Sequence, residues 1–258
     1  MTPPIGRASL ERLARRAGLV ARRYAQRLRP QRKADDSLVT VADRAVERFL
    51  TRELARAVPA AGITGEEGTH RPPQGAWRFV LDPIDGTAAF VSGLPTWCIC
   101  IALVHRDVPV GGVIHLPVSG ETFSAMGGRA FWNGRPLARL GRRPGQGDPF
   151  LAAYSKLHRR YHVAWPGKIR SVGSAAYHAA LVARGSAQAA MLGRVGAWDV
   201  AAAMPLLAAV GARLEYLGSG PVTLAALEDP GGVRDAVIAG APRALATLRT
   251  SLTPRAPA

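Results

Sequence analysis

The segment that most constrains this chain is WRFVLDPIDGT, residues 77–87. Its first half is aromatic and β-branched, which predicts a strand that enters a protein core. Pro83 holds its own φ near about −65° and offers no amide donor, so we expect the chain to leave the strand there as a rigid turn. Asp82 and Asp85 would then point toward one position. Two carboxylates so placed suit a metal-bridged phosphate, although Asp, Pro and Gly are also ordinary turn residues.

The length of 258 residues and the hydrophobic fraction of 48% indicate a globular protein with a large core in one or two domains. The longest apolar run, residues 200–212, contains Pro205 and is shorter than the roughly 20 residues that a membrane-spanning helix needs. We therefore expect no membrane span. Residues 8–28 mix arginine with apolar residues at helical spacing, which favours an amphipathic first helix over an Arg-rich transit peptide and predicts a cytoplasmic protein.

The formal net charge of +16 predicts affinity for phosphates and a nonspecific electrostatic attraction to nucleic acid. All basic residues except Lys33, Lys156 and Lys168 are arginines, a bias that a GC-rich genome explains as readily as a function does. The sequence contains no aromatic-basic stacking motif and no evident recognition helix. Charge therefore indicates a class of partner and no activity.

The two cysteines, Cys98 and Cys100, alternate with isoleucines and so share one face of a predicted strand. Neighbours on one face of a strand are not placed to form a disulfide, and both are expected to be small core residues. A chain without a disulfide framework fits a reducing compartment.

The order of the predicted elements indicates a layered α/β protein. Two amphipathic helices open the chain, residues 77–125 have strand-like patterns, and residues 141–149 have the composition of a loop or linker. Beyond this linker strands and helices alternate, with one helix expected over residues 198–211. We predict an N-terminal α+β half, residues 1–145, that carries most candidate metal ligands, and a C-terminal α/β half, residues 146–258, packed as one sandwich.

Further acidic residues stand where predicted elements begin or end. Glu66 and Glu67 are adjacent in a loop, where cations or solvent must offset their repulsion. Asp43 falls in the first turn of the second helix, behind a predicted N-cap at Thr40, and Asp199 lies near another helix start. Each has an ordinary explanation by itself, as an exposed loop charge or a helix-start residue. Together with the two aspartates around Pro83, they favour a metal centre.

Three motifs in the sequence resemble the signatures of the inositol monophosphatase family of magnesium-dependent, lithium-sensitive phosphatases. They are GEE at 65–67, LDPIDGT at 81–87 and WDVAAA at 198–203, and the upstream KADDSLVTVAD at 33–43 is similar to the family's lead-in. The similarity extends from about residue 10 to about residue 240. It implies the αβαβα sandwich of the sugar phosphatases, the type that includes fructose-1,6-bisphosphatase, and two or three Mg²⁺ ions. It also implies a small phosphorylated alcohol as substrate and a homodimer.

The resemblance also implies metal ligands at matching positions. One Mg²⁺ would be held by Glu66, Asp82 and the carbonyl oxygen of Ile84. A second would be held by Asp82 as the bridging ligand, with Asp85 and Asp199. Paired metal ions suit the in-line attack of water on a phosphate, because they stabilise the attacking and the leaving oxygen together.

The remaining implied roles concern water and substrate. Asp43 and Thr87 would orient and activate the attacking water near Glu66, and Glu67 would be an outer partner of the metal site. The residues that would contact the phosphate and the alcohol of the substrate come from three segments of the chain. They are Asp85, Gly86, Thr87, Gly173, Ser174, Ala175 and Asp199. No histidine or cysteine is required, and the six scattered histidines disfavour zinc.

Phosphatases of the haloacid-dehalogenase type also have a strand ending in Asp-x-Asp-Gly-Thr, with the first aspartate as nucleophile. In this chain Pro83 stands two residues before Asp85, so that nucleophile is missing. The sequence therefore excludes this rival and favours metal-bridging carboxylates.

The substrate stays open because the chain departs from the family pattern. Ala88 and Ala89 replace the Thr-Asn that often follows Gly-Thr, which is expected to alter packing more than metal binding. Leu192 stands where many members have a glutamate that binds substrate hydroxyls. Inositol 1-phosphate is the family default, but leucine favours a less hydroxylated substrate.

Three alternatives follow. Residues 89–97 have a weak similarity to the histidinol-phosphatase branch, and a 3′(2′),5′-bisphosphate nucleotidase has the same fold. In another class, the chain is an RNA- or transcription-associated binding protein with incidental phosphatase activity.

Overall fold

The computed structural model describes residues 2–25, 30–32, 38–141, 150–218, 220–229, 231 and 235–255. The helices are α1 (Arg7–Tyr24), α2 (Val41–Ala57), α3 (Thr87–Val91), α4 (Leu157–Arg160), α5 (Ala175–Arg184), α6 (Ala197–Ala201), α7 (Ala203–Val210), α8 (Leu224–Glu228) and α9 (Pro242–Thr250). The boundary predicted between residues 145 and 146, the linker after residue 141 and residues 33–37 of the lead-in lie outside the described residues.

The strands form two large sheets and two small ones. They are β1 (Gln31–Arg32), β2 (Leu38–Val39), β3 (Gly62–Gly65), β4 (His70–Arg71), β5 (Trp77–Asp85), β6 (Cys98–His105), β7 (Val108–His115), β8 (Thr122–Met126), β9 (Arg129–Trp132), β10 (Arg135–Pro136), β11 (Phe150–Ala153), β12 (Tyr161–Val163), β13 (Lys168–Arg170), β14 (Ala189–Gly193), β15 (Arg213–Tyr216), β16 (Gly220–Pro221), β17 (Val237–Gly240) and β18 (Leu252–Pro254). The first large sheet has the order β10-β9-β8-β7-β6-β5-β3-β4, and the second has the order β13-β11-β14-β17-β15-β16.

Alternating side chains of the two sheets divide the core into three apolar layers. Phe79 and Leu81 of β5 pack against α1 and α2, whereas Val80 faces the opposite way, toward α5 and α7. The second sheet contributes Ala190 to the same middle layer and Met191 to an outer layer beneath α9. The order is therefore helix, sheet, helix, sheet, helix, which confirms the predicted αβαβα sandwich. Among the described residues, no helix is both long enough and apolar enough to cross a membrane.

The helix expected over residues 198–211 is two helices, α6 and α7, which meet at Ala202. Pro205 explains the break, because a proline ring clashes with the carbonyl four residues earlier, which here belongs to Ala201, the last residue of α6. Pro205 itself lies in the first turn of α7, where no intrahelical amide bond is lost.

The junction between α6 and α7 lies directly against β7. A Cβ atom built on Gly112 would lie 2.2 Å from the carbonyl oxygen of Ala202. Only glycine allows so close an approach of backbone to backbone. This contact seats α6, with Asp199, on the sheet that contains Asp82 and Asp85.

We predict that Gly112→Ala lowers the free energy of unfolding by about 1–3 kcal/mol, because the new methyl group meets backbone that cannot rotate away. Gly111→Ala is the matched control, since its Cβ would meet the terminal methyl of Met126 at 3.0 Å, the far end of a flexible side chain. Chemical denaturation of both variants measures the difference. Equal losses in the two variants would show that the contact with Ala202 is not limiting.

Candidate active site

A β-bulge in β5 places the two central aspartates on one face of the sheet. Asp82 pairs with Cys100 and Asp85 pairs with Cys98, so β5 has two residues between these pairs where β6 has one. In a regular strand, residues three apart point to opposite faces. Ile84 packs with the outer helices, as Leu81 does, so Pro83 is the additional residue and Asp85 returns to the face of Asp82.

The predicted rigid exit turn at Pro83 is therefore wrong, because β5 continues to Asp85. Proline is tolerated at the bulge because a bulged residue does not need to donate to the ladder. The predicted outcome, two carboxylates directed to one side, is nevertheless observed. Cys98 and Cys100, on the partner strand, are buried free thiols with their Sγ atoms 3.7 Å apart, as expected of unbridged core residues.

Three carboxylates converge above this face. Asp82, Asp85 and Asp199 each have a carboxylate oxygen within 4.8 Å of the other two. Burial raises the pKa of Asp82 well above its usual range, and the charges of Glu66, Asp85 and Asp199 raise it further. Burial likewise raises the pKa of Asp199, as do Asp85 and Glu66. A divalent cation would offset this repulsion, and hard carboxylate oxygens are the ligands that Mg²⁺ prefers, so the residues fit a metal centre.

The turn before α5 fixes the orientation of Asp85. Ser174 Oγ and the Ala176 amide each donate to Asp85 Oδ2 at 2.6 Å, and the Ala175 amide donates to Oδ1 at 3.3 Å. His178 stabilises the same turn, because its Nε2 accepts a 3.0 Å bond from the Val172 amide. The second half of the chain thus orients a ligand candidate of the first half.

The turn at Gly173 also lies against the turn at Gly86. Gly86 has a φ of +91°, and a Cβ on it would lie 2.8 Å from the Gly173 carbonyl oxygen. These two glycines bring the predicted phosphate-binding residues close to the predicted alcohol-binding residues. Ser174 and Ala175 are themselves bonded to Asp85, so the structure gives them a positioning contact that the sequence did not indicate.

Asp43 is buried and lies in a separate pair with the half-buried Thr87. Asp43 Oδ2 accepts bonds from the Thr40 amide at 2.8 Å and from Thr40 Oγ1 at 2.6 Å, which confirms Thr40 as the N-cap of α2. Thr87 Oγ1 lies 3.3 Å from Asp43 Oδ1 and 3.2 Å from the Ile84 carbonyl oxygen, so its one proton can be donated to either. Burial raises the pKa of Asp43, and the bonds from Thr40 partly oppose this.

The sequence reasoning missed Glu47, a buried carboxylate of α2. Its Oε2 accepts from the Glu67 amide at 2.8 Å and its Oε1 accepts from the Thr69 amide at 2.9 Å. Gly65 provides the space, since a Cβ there would lie 2.4 Å from the Glu47 carboxylate. Glu47 therefore holds the loop that presents Glu66. Its spacing of four from Asp43, which places both carboxylates on one side of α2, was the available signal.

Leu192 is 4% exposed and packs in the middle apolar layer. It also lines a cavity at the end of β14. The resemblance to the family places a hydroxyl-binding glutamate at this position in many other members. A glutamate at this position would bury a charge among apolar side chains, so Leu192→Glu would change packing as well as recognition.

Comparison with known proteins supports the resemblance found in the sequence. The sequence model of the inositol monophosphatase family matches residues 7–255. An inositol-1-monophosphatase of Rhizobium meliloti is 35% identical over 199 residues, which cover 72% of this chain and 74% of that protein. A histidinol-phosphatase of Chlorobaculum parvum is 32% identical over 234 residues, covering 84% and 88%. The crystal structure of the extragenic suppressor protein suhB from Bartonella henselae has a TM-score of 0.78 and 26% identity, covering 93% and 95%.

We predict that Glu47→Gln increases the rate of hydrogen exchange at the amides of Glu67 and Thr69. Glutamine keeps the shape of the side chain but turns one acceptor oxygen into a donor, and an unsatisfied buried group costs about 1–3 kcal/mol. Exchange measured by NMR or mass spectrometry reports the effect without reference to activity.

Glu53→Gln, on the same helix, is the matched control, because Glu53 contacts the side chains of Arg16 and Arg52 and not the loop. Unchanged protection of the two amides in Glu47→Gln, or an equal loss in Glu53→Gln, would contradict the positioning role.

Proposed function

We propose that this chain, which belongs to the inositol monophosphatase family and is a phosphoric monoester hydrolase, requires Mg²⁺. Its proposed substrate is a small phosphorylated alcohol. Inositol 1-phosphate is the default substrate, as supported by the Rhizobium meliloti relative. The observation that carries the proposal is the convergence of three carboxylates, from β5 and α6, within 4.8 Å. Family membership further supports inhibition by Li⁺ and a homodimer located in the cytoplasm.

We assign the ligands of one Mg²⁺ to Glu66, Asp82 and the Ile84 carbonyl, and those of a second to Asp82, Asp85 and Asp199. A bound divalent cation supplies positive charge to the phosphate and lowers the pKa of a coordinated water. Glu67 would support Glu66 from outside, through the loop that Glu47 holds.

Asp43 and Thr87 are proposed to orient the attacking water. The hydroxyl of Thr87 lies between Asp43 and the Ile84 carbonyl and so can pass its proton toward the carboxylate while its oxygen accepts from water. The Thr40 bonds keep the other oxygen of Asp43 occupied and fix the carboxylate plane. The amides of Gly86 and Thr87 are proposed to receive the phosphate, and the turn at Gly173 to meet the alcohol.

A second candidate substrate is histidinol phosphate, which the Chlorobaculum parvum relative supports. Adenosine 3′,5′-bisphosphate is the third. A panel of these esters with inositol 1-phosphate, fructose 1,6-bisphosphate and glycerol 2-phosphate, assayed for phosphate release with Mg²⁺ and with a chelator, tests the proposal. Absence of Mg²⁺-dependent release from every ester would favour the RNA- or transcription-associated binding protein.

We predict that Asp82→Asn abolishes turnover and leaves the fold intact. Asp82 would be a ligand of both metal ions, and an amide would offer one neutral oxygen in place of two charged ones. The metal-free variant should be at least as stable as the metal-free wild type, because one charge leaves a buried repulsive cluster.

Asp107→Asn, in the exposed turn after β6, is the matched control and should keep full activity. Circular dichroism tests whether the fold is intact, thermal unfolding tests the stability of the metal-free proteins, and phosphate release tests turnover. Near-normal activity of a well-folded Asp82→Asn protein would remove the two-metal assignment.

We predict that Thr87→Ala lowers kcat by about 100-fold or more and leaves cation affinity nearly unchanged, because the alignment of water matters in the transition state. Initial-rate kinetics and calorimetric titration with Mn²⁺ separate the two effects. A change confined to KM would make Thr87 a phosphate contact instead, and Asp43 would then require another role.

A further inference from the structure

A cavity of about 360 Å³ opens at the carboxyl ends of the parallel strands β11 and β14. Its wall includes Tyr154, Lys156, Arg160 and Arg194, and Leu192 contributes to its lining. In open α/β sheets, ligands bind outside the carboxyl ends of parallel strands, so the position itself favours a binding site.

The cavity carries an excess of positive charge. Lys156, Arg160 and Arg194 are exposed, and within the described part of the chain none of them forms an ion pair. Asp235 is the acidic residue of the lining, and both of its oxygens are already engaged. They accept from the Gly218 amide at 2.8 Å and from the Ala236 amide at 2.6 Å. The described lining therefore has three cations and one carboxylate, and none of the three cations forms an ion pair with that carboxylate.

The chain connects this cavity to the candidate active site. Arg194 follows the last residue of β14, and the next helix, α6, carries Asp199. Arg194 and Asp199 are five positions apart, so their Cα atoms are at most about 18 Å apart. Gly193 has a φ of +81°, and a Cβ on it would lie 3.0 Å from the Tyr154 ring. The backbone at the wall of the cavity is therefore packed against the Tyr154 ring.

We propose that this cavity is a subsite for a second anionic group, a phosphate or a carboxylate, on the alcohol whose phosphate ester is hydrolysed. The proposal rests on the proposed function for the identity of the ester. Arginine forms charge-assisted and often bidentate bonds with both kinds of anion, whereas neutral hydroxyl groups need acceptors that Leu192 does not supply. The subsite would therefore select charged alcohols over polyols such as inositol.

Two pairs of esters that differ only in the second anion test the proposal. Adenosine 3′,5′-bisphosphate is compared with adenosine 3′-phosphate, and 2-phosphoglycerate with glycerol 2-phosphate. We expect kcat/KM to favour the more charged member of at least one pair by about tenfold or more, as a charge-assisted bond allows. The pair that shows the preference identifies the anion as phosphate or carboxylate.

The variants Arg194→Gln and Arg160→Gln should each reduce that preference severalfold. Arg159→Gln is the matched control, because it removes the same charge from the same helix, α4, but Arg159 does not line the cavity. Measurements at about 0.15 M salt suppress attraction by the overall charge of the protein. Absence of preference in both pairs, or an equal loss in Arg159→Gln, would overturn the proposal.

Calorimetry of the metal-free protein separates this inference from the proposed function. Tighter binding of adenosine 3′,5′-bisphosphate or 2-phosphoglycerate than of its partner ester, lost in Arg194→Gln and kept in Arg159→Gln, would support the subsite even in a protein that hydrolyses none of the esters. Equal binding within both pairs by such an inactive protein would overturn the subsite together with the proposed function.

Discussion

The additional residue in β5, Pro83, is the local constraint on which the candidate site depends. It lies between the pairs Asp82–Cys100 and Asp85–Cys98 and is accommodated as a bulge, which keeps the second aspartate on the face of the first. If Pro83 were instead an ordinary residue of a regular strand, Asp85, three residues after Asp82, would point into the apolar layer beneath α1 and α2. The bulge therefore converts a buried central strand into a platform for two adjacent carboxylates, while Leu81 and Ile84 still pack into the outer core.

Placing carboxylates so close together is electrostatically unfavourable, and hydrogen-bond donors from the surrounding structure offset part of this repulsion. Asp85 receives donors from the start of α5, Asp43 receives them from Thr40, and the loop with Glu66 is held by Glu47. These bonds orient the carboxylates, but they do not neutralise Asp82, whose pKa stays raised by burial and by neighbouring charges. A fold that gathers like charges and then fixes their direction is prepared for a cation, because orientation is what a coordinating site must supply in advance.

The sequence predicted which carboxylates meet better than it predicted how the backbone brings them together. Periodicity indicated a layered α/β protein, and the resemblance to the family implied both the αβαβα sandwich and the meeting of Asp82, Asp85 and Asp199. The bulge was not predictable, because the register of β5 against β6 depends on pairing between strands, and a proline after an apolar run equally favours a turn. Glu47 was missed because a glutamate inside an amphipathic helix is ordinarily a solvent-facing residue. Its spacing of four from Asp43 indicates its side of the helix, but the amides that it binds and the approach of Gly65 appear only in the structure.

The proposed divalent-cation site at the β5 bulge is open to a direct test, titration of the metal-stripped protein with Mn²⁺. Electron paramagnetic resonance and thermal unfolding follow the binding. We expect saturable binding and a rise in the unfolding temperature, because the cation relieves repulsion that only the folded chain contains. Asp199→Asn, which removes one of the three converging carboxylates, should weaken the binding. Failure of the wild-type protein to bind Mn²⁺, or unchanged binding in Asp199→Asn, would contradict a cation site at the bulge.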